Sequence, residues 1–454
     1  PAPSTPIPFA SPSPASTTHY LLQAEFDYFN HNLVVNETIR YTNTSAALLP
    51  DLLLVVRPLD WSGSFELTSL TWESGTPIPD VEIEGALLRI PLPLLLHSGK
   101  QLVLQLSYRL SLPAIPPAES SQRPLPYGYT ERQTNLVDWY PYIPPYRPGE
   151  GWLVHPPAVT GEHLVYDIAD YQVQLSLTEP VPGLLLAASA PAAQDGLTYS
   201  YNLPAARAFV LSASPYYQLL TQAVGETTLY SYFFAYNAAA GQAALDATAQ
   251  ALALYNELLG PYPRPSLSIV EADFQDGMEY SGLYFISRTF YDWYDGTPRG
   301  YLTLIAAHET AHQWWFDQVG NDQALEPWLD EALCTYMERL FYERLDAETP
   351  SQLEQPLVDW WWYFRVDLYA PSGPLGATIY DFTTFRAYRD AIYLRGAQFL
   401  EALRQDMGDE AFFAFLRAYA TQMSGQVATS ADFFRILEEY TGDITGLKNI
   451  FFSP

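Results

Sequence analysis

The chain has 454 residues and carries 51 Asp and Glu against 22 Lys and Arg, a formal net charge of −29. A surface that acidic repels phosphate backbones, which excludes nucleic acid as a natural partner. Hydrophobic residues make up 48% of the chain without any apolar run long enough to span a bilayer, so the composition is that of a globular protein with material for more than one domain.

The first eighteen residues, PAPSTPIPFASPSPASTT, are nearly all Pro, Ser, Ala and Thr. Such a segment buries no core and reads as an extended, disordered spacer, residues 1–18. A spacer in a chain that lacks its initiator Met points to a removed targeting segment. We therefore expect an extracytoplasmic, secreted or lipid-anchored protein of a bacterium, with a cut inside a longer protein as the alternative and a cytoplasmic location left open. The single cysteine, Cys334, allows no intrachain disulfide and reads as a small buried residue.

From residue 19 to 225 the pattern has period two. In QLVLQLSYRLSL, Leu102, Leu104, Leu106, Tyr108, Leu110 and Leu112 share one face; in YQVQLSL, Tyr171, Val173, Leu175 and Leu177 do. Half-buried strands read this way, and turn formers such as WSGS, HSGK and PVPG separate them, so this half is an N-terminal antiparallel β domain of packed, saddle- or sandwich-like sheets. Near residue 238 the pattern changes to AAAGQAALDATAQALALYNELLG, with helical spacing and a stop at Gly260. One more strand-like run, SLSIVEADF, precedes a mostly helical remainder. The fold class is multidomain α+β, with a second domain over 226–454.

The stretch LIAAHETAHQWW places His308 and His312 four apart, on one face of a helix. Two such imidazoles suit one Zn²⁺, and Glu309 suits the deprotonation of water at the metal. A catalytic zinc takes three protein ligands, and Glu331 follows His312 by nineteen positions within EPWLDEALCTYMERLFYER.

These residues resemble those of the aminopeptidase N-type family of gluzincin zinc metallopeptidases, which are marked by HExxH followed by eighteen residues and Glu. The WLNEG-type segment of the family is matched by WLDEA, its GxMEN motif in part by DGMEY at 276–280, and its YxKGA segment by YLRGA from Tyr393. Weaker likenesses extend the resemblance over residues 19–454. It implies a thermolysin-like catalytic domain with one catalytic zinc held by His308, His312 and Glu331. Glu309 is then the general base, and Tyr393 donates to the oxyanion. Glu279 accepts the free α-ammonium of a peptide substrate, with Asp276, Gly277, Met278 and Tyr280 around it. The strand before this motif is expected to pair its edge with the substrate backbone.

The chain departs from the family pattern at Asp276 and Tyr280, which replace Gly and Asn, and at Ala332 and Arg395, which replace Gly and Lys. Asp276 either adds a carboxylate near the first substrate residue, favouring basic ones, or points into solvent. The C-terminal TGDITGLKNIFFSP resembles the end of the family's catalytic domain, implying a short form without the helical roof and a more open cleft. The run DWWWYF at 359–364 reads as core packing, with a substitute wall as the alternative. Asp317 and Asp330 are candidates to orient the imidazoles, and solvated charge is the competing reading. Gln133 is expected to be a solvated loop residue, and His19, His31, His97, His155 and His163 to have no site role. The expected function is a monomeric aminopeptidase acting on peptides with a free N-terminus. A gluzincin endopeptidase and a catalytically inactive peptide-binding relative are the rivals.

Overall fold

The structure is a computed structural model that describes residues 18–116, 126–348 and 355–453. The expected spacer lies, apart from Thr18, outside the described residues. The described chain forms two compact units, one from 18–116, 126–152 and 168–215, the other from 153–167 and 216–453.

In the first unit, the strand Thr18–Asp27 runs antiparallel to Asn32–Thr42, which pairs with Gln101–Ser111 and through it with Phe65–Trp72. On its other side it runs parallel to Ala169–Leu177, so the sheet is not antiparallel throughout. The alternation read from the sequence is seen directly: Leu104, Leu106, Tyr108 and Leu110 are buried while Gln105 and Arg109 are exposed. Tyr171, Val173, Leu175 and Leu177 are buried on the neighbouring strand. Gln133 is not solvated but 1% exposed.

The second unit is built on a five-stranded sheet, in the order Tyr217–Val224, Thr227–Phe234, Ser266–Ala272, Leu283–Ser287, Gly277–Tyr280. Ser266–Ala272 is buried at every position and is paired in parallel on both sides. It therefore has no free edge for a substrate, contrary to the expectation; the strand at the sheet margin is Gly277–Tyr280, which among the described residues pairs as a strand only with Leu283–Ser287.

Helices cover this sheet. Ala238–Leu259 ends at Gly260 as its sequence predicts, and its Tyr255 hydroxyl lies 3.1 Å from the carbonyls of both Ala307 and Met337. It thereby ties together the helix Tyr301–Ala311, which carries HExxH, and the helix Trp328–Glu348, which carries Glu331. The aromatic run 359–364 is largely core, as read: Trp361 is fully buried and Trp360 and Trp362 pack against the core, while Tyr363 is exposed. Among the described residues no helix is long and apolar enough to cross a membrane.

The Glu331 helix and the helix Arg395–Met407 meet where a side chain does not fit. A Cβ on Gly396 would stand 2.2 Å from the Ala332 Cβ and 2.9 Å from its Cα. Gly396→Ala should therefore destabilise the protein by about 1–3 kcal/mol, the range for overpacking a tight contact. A lower urea midpoint at unchanged slope checks this; an unshifted midpoint would show that the two helices part freely.

Candidate active site

The HExxH helix ends at Ala311, one residue before its second histidine. His312 is the C-cap, and the chain then turns so that the Asp317 amide donates to the His312 carbonyl at 3.0 Å. The break leaves the Trp315 carbonyl available, and it accepts from His312 Nδ1 at 2.9 Å. His308 Nδ1 faces Glu338 Oε1 at 2.8 Å. Both acceptors require the proton on Nδ1, so both Nε2 atoms present bare lone pairs.

Those two Nε2 atoms stand 3.2 Å apart, and Glu331 Oε2 stands 3.2 Å from that of His308 and 3.7 Å from that of His312. Three acceptors thus converge without a donor among them, an arrangement that a cation relieves. Two imidazoles and one carboxylate form the three-protein-ligand set of a catalytic zinc, so the residues fit that ion. Burial, with the Glu162 and Glu279 carboxylates nearby, pushes Glu331 up against the opposing pull of His312; a bound cation would reverse this.

Glu338 is the orienting partner that the sequence did not reveal. Burial would raise it, yet the Arg365 guanidinium and His308 hold it below the ordinary carboxylate range. Arg365 grips both of its oxygens at 3.1 Å, and the Trp361 indole donates at 2.9 Å. The two aspartates weighed for this role are both buried and both occupied elsewhere. Asp317 is held by Arg264 at 2.9 and 2.7 Å and by Ser281, and Asp330 accepts from Gln323 and from the Glu331 amide.

The convergent atoms open on a cavity of about 500 Å³ lined by His308, Glu309, His312, Glu331, Tyr393, Glu279, Gly277 and Asp276. Glu279, Glu309 and His312 offer atoms within 4.8 Å of one another, so Glu279 stands beside the same centre. Gln323 Nε2 donates to Glu279 and to Asp330, both at 3.0 Å. The Tyr393 hydroxyl donates to Glu331 Oε1 at 2.5 Å, and its ring stacks on His308 with centroids 5.9 Å apart.

Residues 243–452 match the model of the peptidase family M1 domain. Aminopeptidase M1-D of rice, Oryza sativa subsp. japonica, is 30% identical over 212 residues, 45% of this chain and 24% of that protein; human aminopeptidase O is 25% identical over 203 residues, again 24% of its length. The chain thus matches about a quarter of the length of these relatives. The crystal structure of an M1 zinc metallopeptidase mutant from Deinococcus radiodurans superposes with a TM-score of 0.66 at 19% identity, covering 96% of this chain and 93% of that one. Residues 243–452 are thus similar to a peptidase family M1 domain. The likeness to the Deinococcus structure extends the shared fold to the β unit, and zinc is the metal of this family.

Within the matched residues, period two sorts the DGMEY residues. Gly277 and Glu279 line the cavity, whereas Met278 and Tyr280 do not; Tyr280 instead packs edge-on against Phe285. Gly277 is required by contact, because a Cβ there would sit 1.9 Å from Glu309 Oε1. Asp276 replaces the family glycine at a left-handed φ of 74°, which Asp tolerates better than most residues. Its carboxylate accepts from the Gly277 amide at 3.2 Å, and the residue lines the cavity. Sequence reading missed Phe290, Trp293, Tyr301, Phe385 and Arg389 on the cavity wall; none belongs to a motif. Glu338 had a weak signal, lying two helical turns beyond Glu331. His155, expected to have no role, pairs with buried Asp322 at 2.8 Å, outside this cavity.

Glu338→Gln should weaken zinc binding roughly 10–100-fold, the usual effect of losing an outer carboxylate on a ligating histidine. It should also lower the melting temperature of the metal-free protein, because Arg365 loses its buried counter-charge. Titration in chelator-buffered zinc reads the first effect; wild-type affinity would show that Glu338 does not tune the metal ligand.

Proposed function

We propose that the protein is a zinc-dependent aminopeptidase that removes the first residue from peptides with a free N-terminus. The observation that carries this reading is the buried Glu279 carboxylate standing within 4.8 Å of Glu309 and His312 atoms. A peptide's terminal nitrogen and its first carbonyl carbon are separated only by Cα, roughly 2.5 Å from backbone dimensions. An anion anchoring the ammonium at Glu279 therefore brings the first peptide bond, and no later one, beside Glu309. Glu279 is 4% exposed, and a buried carboxylate calls for a counter-charge such as the α-ammonium.

Bound at His308, His312 and Glu331, zinc would supply Lewis acidity, polarising the scissile carbonyl and acidifying water. Glu309 takes the proton from the attacking water and delivers one to the leaving amine. Tyr393 is the assigned donor to the carbonyl oxygen as negative charge grows there, worth a few kcal/mol in comparable sites; its contact with Glu331 supports this by keeping the hydroxyl at the metal centre. The strand Gly277–Tyr280 lies at the margin of the sheet, where an extended substrate can align beside it.

Glu309→Gln should reduce kcat by at least about 100-fold, the contribution of a general base, while metal analysis still finds one zinc per chain. Retained turnover would remove Glu309 from the mechanism. Glu279→Ala should raise KM for a short peptide with a free amine far more than for its N-acetylated form. Mass spectrometry of wild-type digests gives the companion test, since stepwise loss from the free peptide alone is expected. Internal cuts in both forms would make the protein an endopeptidase, and no cleavage of either would leave a binding protein.

A further inference from the structure

The wall of the cavity contains two arginines in very different states. Arg365 is consumed, with two nitrogens on the two oxygens of buried Glu338. Arg389 is not. Its Nε and Nη2 both reach the same oxygen, Asp390 Oδ1, at 3.2 and 2.7 Å. Among the described residues, Nη1 makes no hydrogen bond to protein. Arg386 reaches the other oxygen of Asp390 at 3.3 Å, so two guanidinium groups share one carboxylate and a net positive charge remains.

The group is also held in place. The guanidinium carbon of Arg389 lies 3.9 Å from the Tyr369 ring centroid, and the residue sits one helical turn before Tyr393, in a helical run from Phe385 to Leu394. With zinc bound, its two charges offset Glu309 and Glu331, and the substrate ammonium offsets Glu279. The cation beside Tyr393 then has Asp276 as the one remaining carboxylate of the cavity lining, and no hydrogen bond joins the two among the described residues. In a chain where acids outnumber bases 51 to 22, a pre-oriented guanidinium with a spare donor on a substrate cavity points to recognition of an anion.

Resting on the aminopeptidase reading, we propose that Arg389 is a specificity determinant that receives a carboxylate of the peptide substrate. The carboxylate belongs to the first side chain, to the second side chain or to the C-terminus of a short peptide, all of which offer the same chemistry. This runs against the preference for basic residues that Asp276 alone suggested.

The test compares four tripeptides with the zinc-loaded protein: Ala-Ala-Ala amide, the same peptide with a free C-terminus, Glu-Ala-Ala amide and Ala-Glu-Ala amide. One acid-bearing peptide should have a KM at least about tenfold below that of the neutral amide, the scale of one charge-assisted hydrogen bond, and it identifies the source. Arg389→Gln should abolish that ratio, and Arg389→Lys should keep part of it. No acid preference in the wild type overturns the proposal, as does a preference that survives Arg389→Gln. A proportionate loss on all four peptides also overturns it, leaving a structural role. If the zinc-loaded wild type cleaves none of the four, the aminopeptidase reading falls first and takes this proposal with it.

Discussion

Everything in the second unit answers to one electrostatic constraint, the meeting of two imidazole lone pairs and a carboxylate oxygen on buried residues of the cavity wall. Left alone, three acceptors repel, so the surrounding structure has to hold them together until a cation arrives. Each histidine is pinned through its other nitrogen, one by Glu338 and one by the Trp315 carbonyl. The second contact exists because the HExxH helix stops at Ala311. The first needs an ionised carboxylate deep in the core, and Arg365 and Trp361 keep it so. The aromatic segment at 359–364 is thus core packing that also delivers support to a metal ligand.

The same constraint orders the charges around it. Glu279, Glu309, Asp330 and Glu331 are all buried. Burial and its acidic neighbours push Asp330 well above the usual carboxylate range, and Gln323 sits as a neutral donor between it and Glu279. The excess of negative charge is what a divalent ion and a substrate ammonium together would neutralise. A centre built this way attracts a divalent cation and, on the proposed reading, a peptide's free amine by the same means. The close approach of Gly277 to Glu309 adds a steric limit, since the base and the motif strand touch with no room for a side chain.

Much of this was legible in the sequence where the chemistry is local. Helical periodicity placed His308 above His312, and period two assigned the β half of the chain and its buried faces. It also sorts Gly277 and Glu279 from Met278 and Tyr280, although the motif match alone grouped all of them. Strand position was not legible: Ser266–Ala272 is interior, and the strand that follows it lies at the margin. Nothing in a run of apolar residues tells a central strand from its neighbour, because that depends on which distant segments pair with it.

The sequence by itself determined which residue types stand at the candidate site and their spacing along two helices, because these follow from the 3.6-residue turn and from side-chain chemistry. Only the tertiary structure decided which groups complete them. Glu338 with Arg365 and Gln323 with Glu279 meet through packing and hydrogen bonds that link distant parts of the chain. The physical reason is that a charged residue on a helix reads the same whether it is solvated or buried. Its partner, not its position in the chain, decides which.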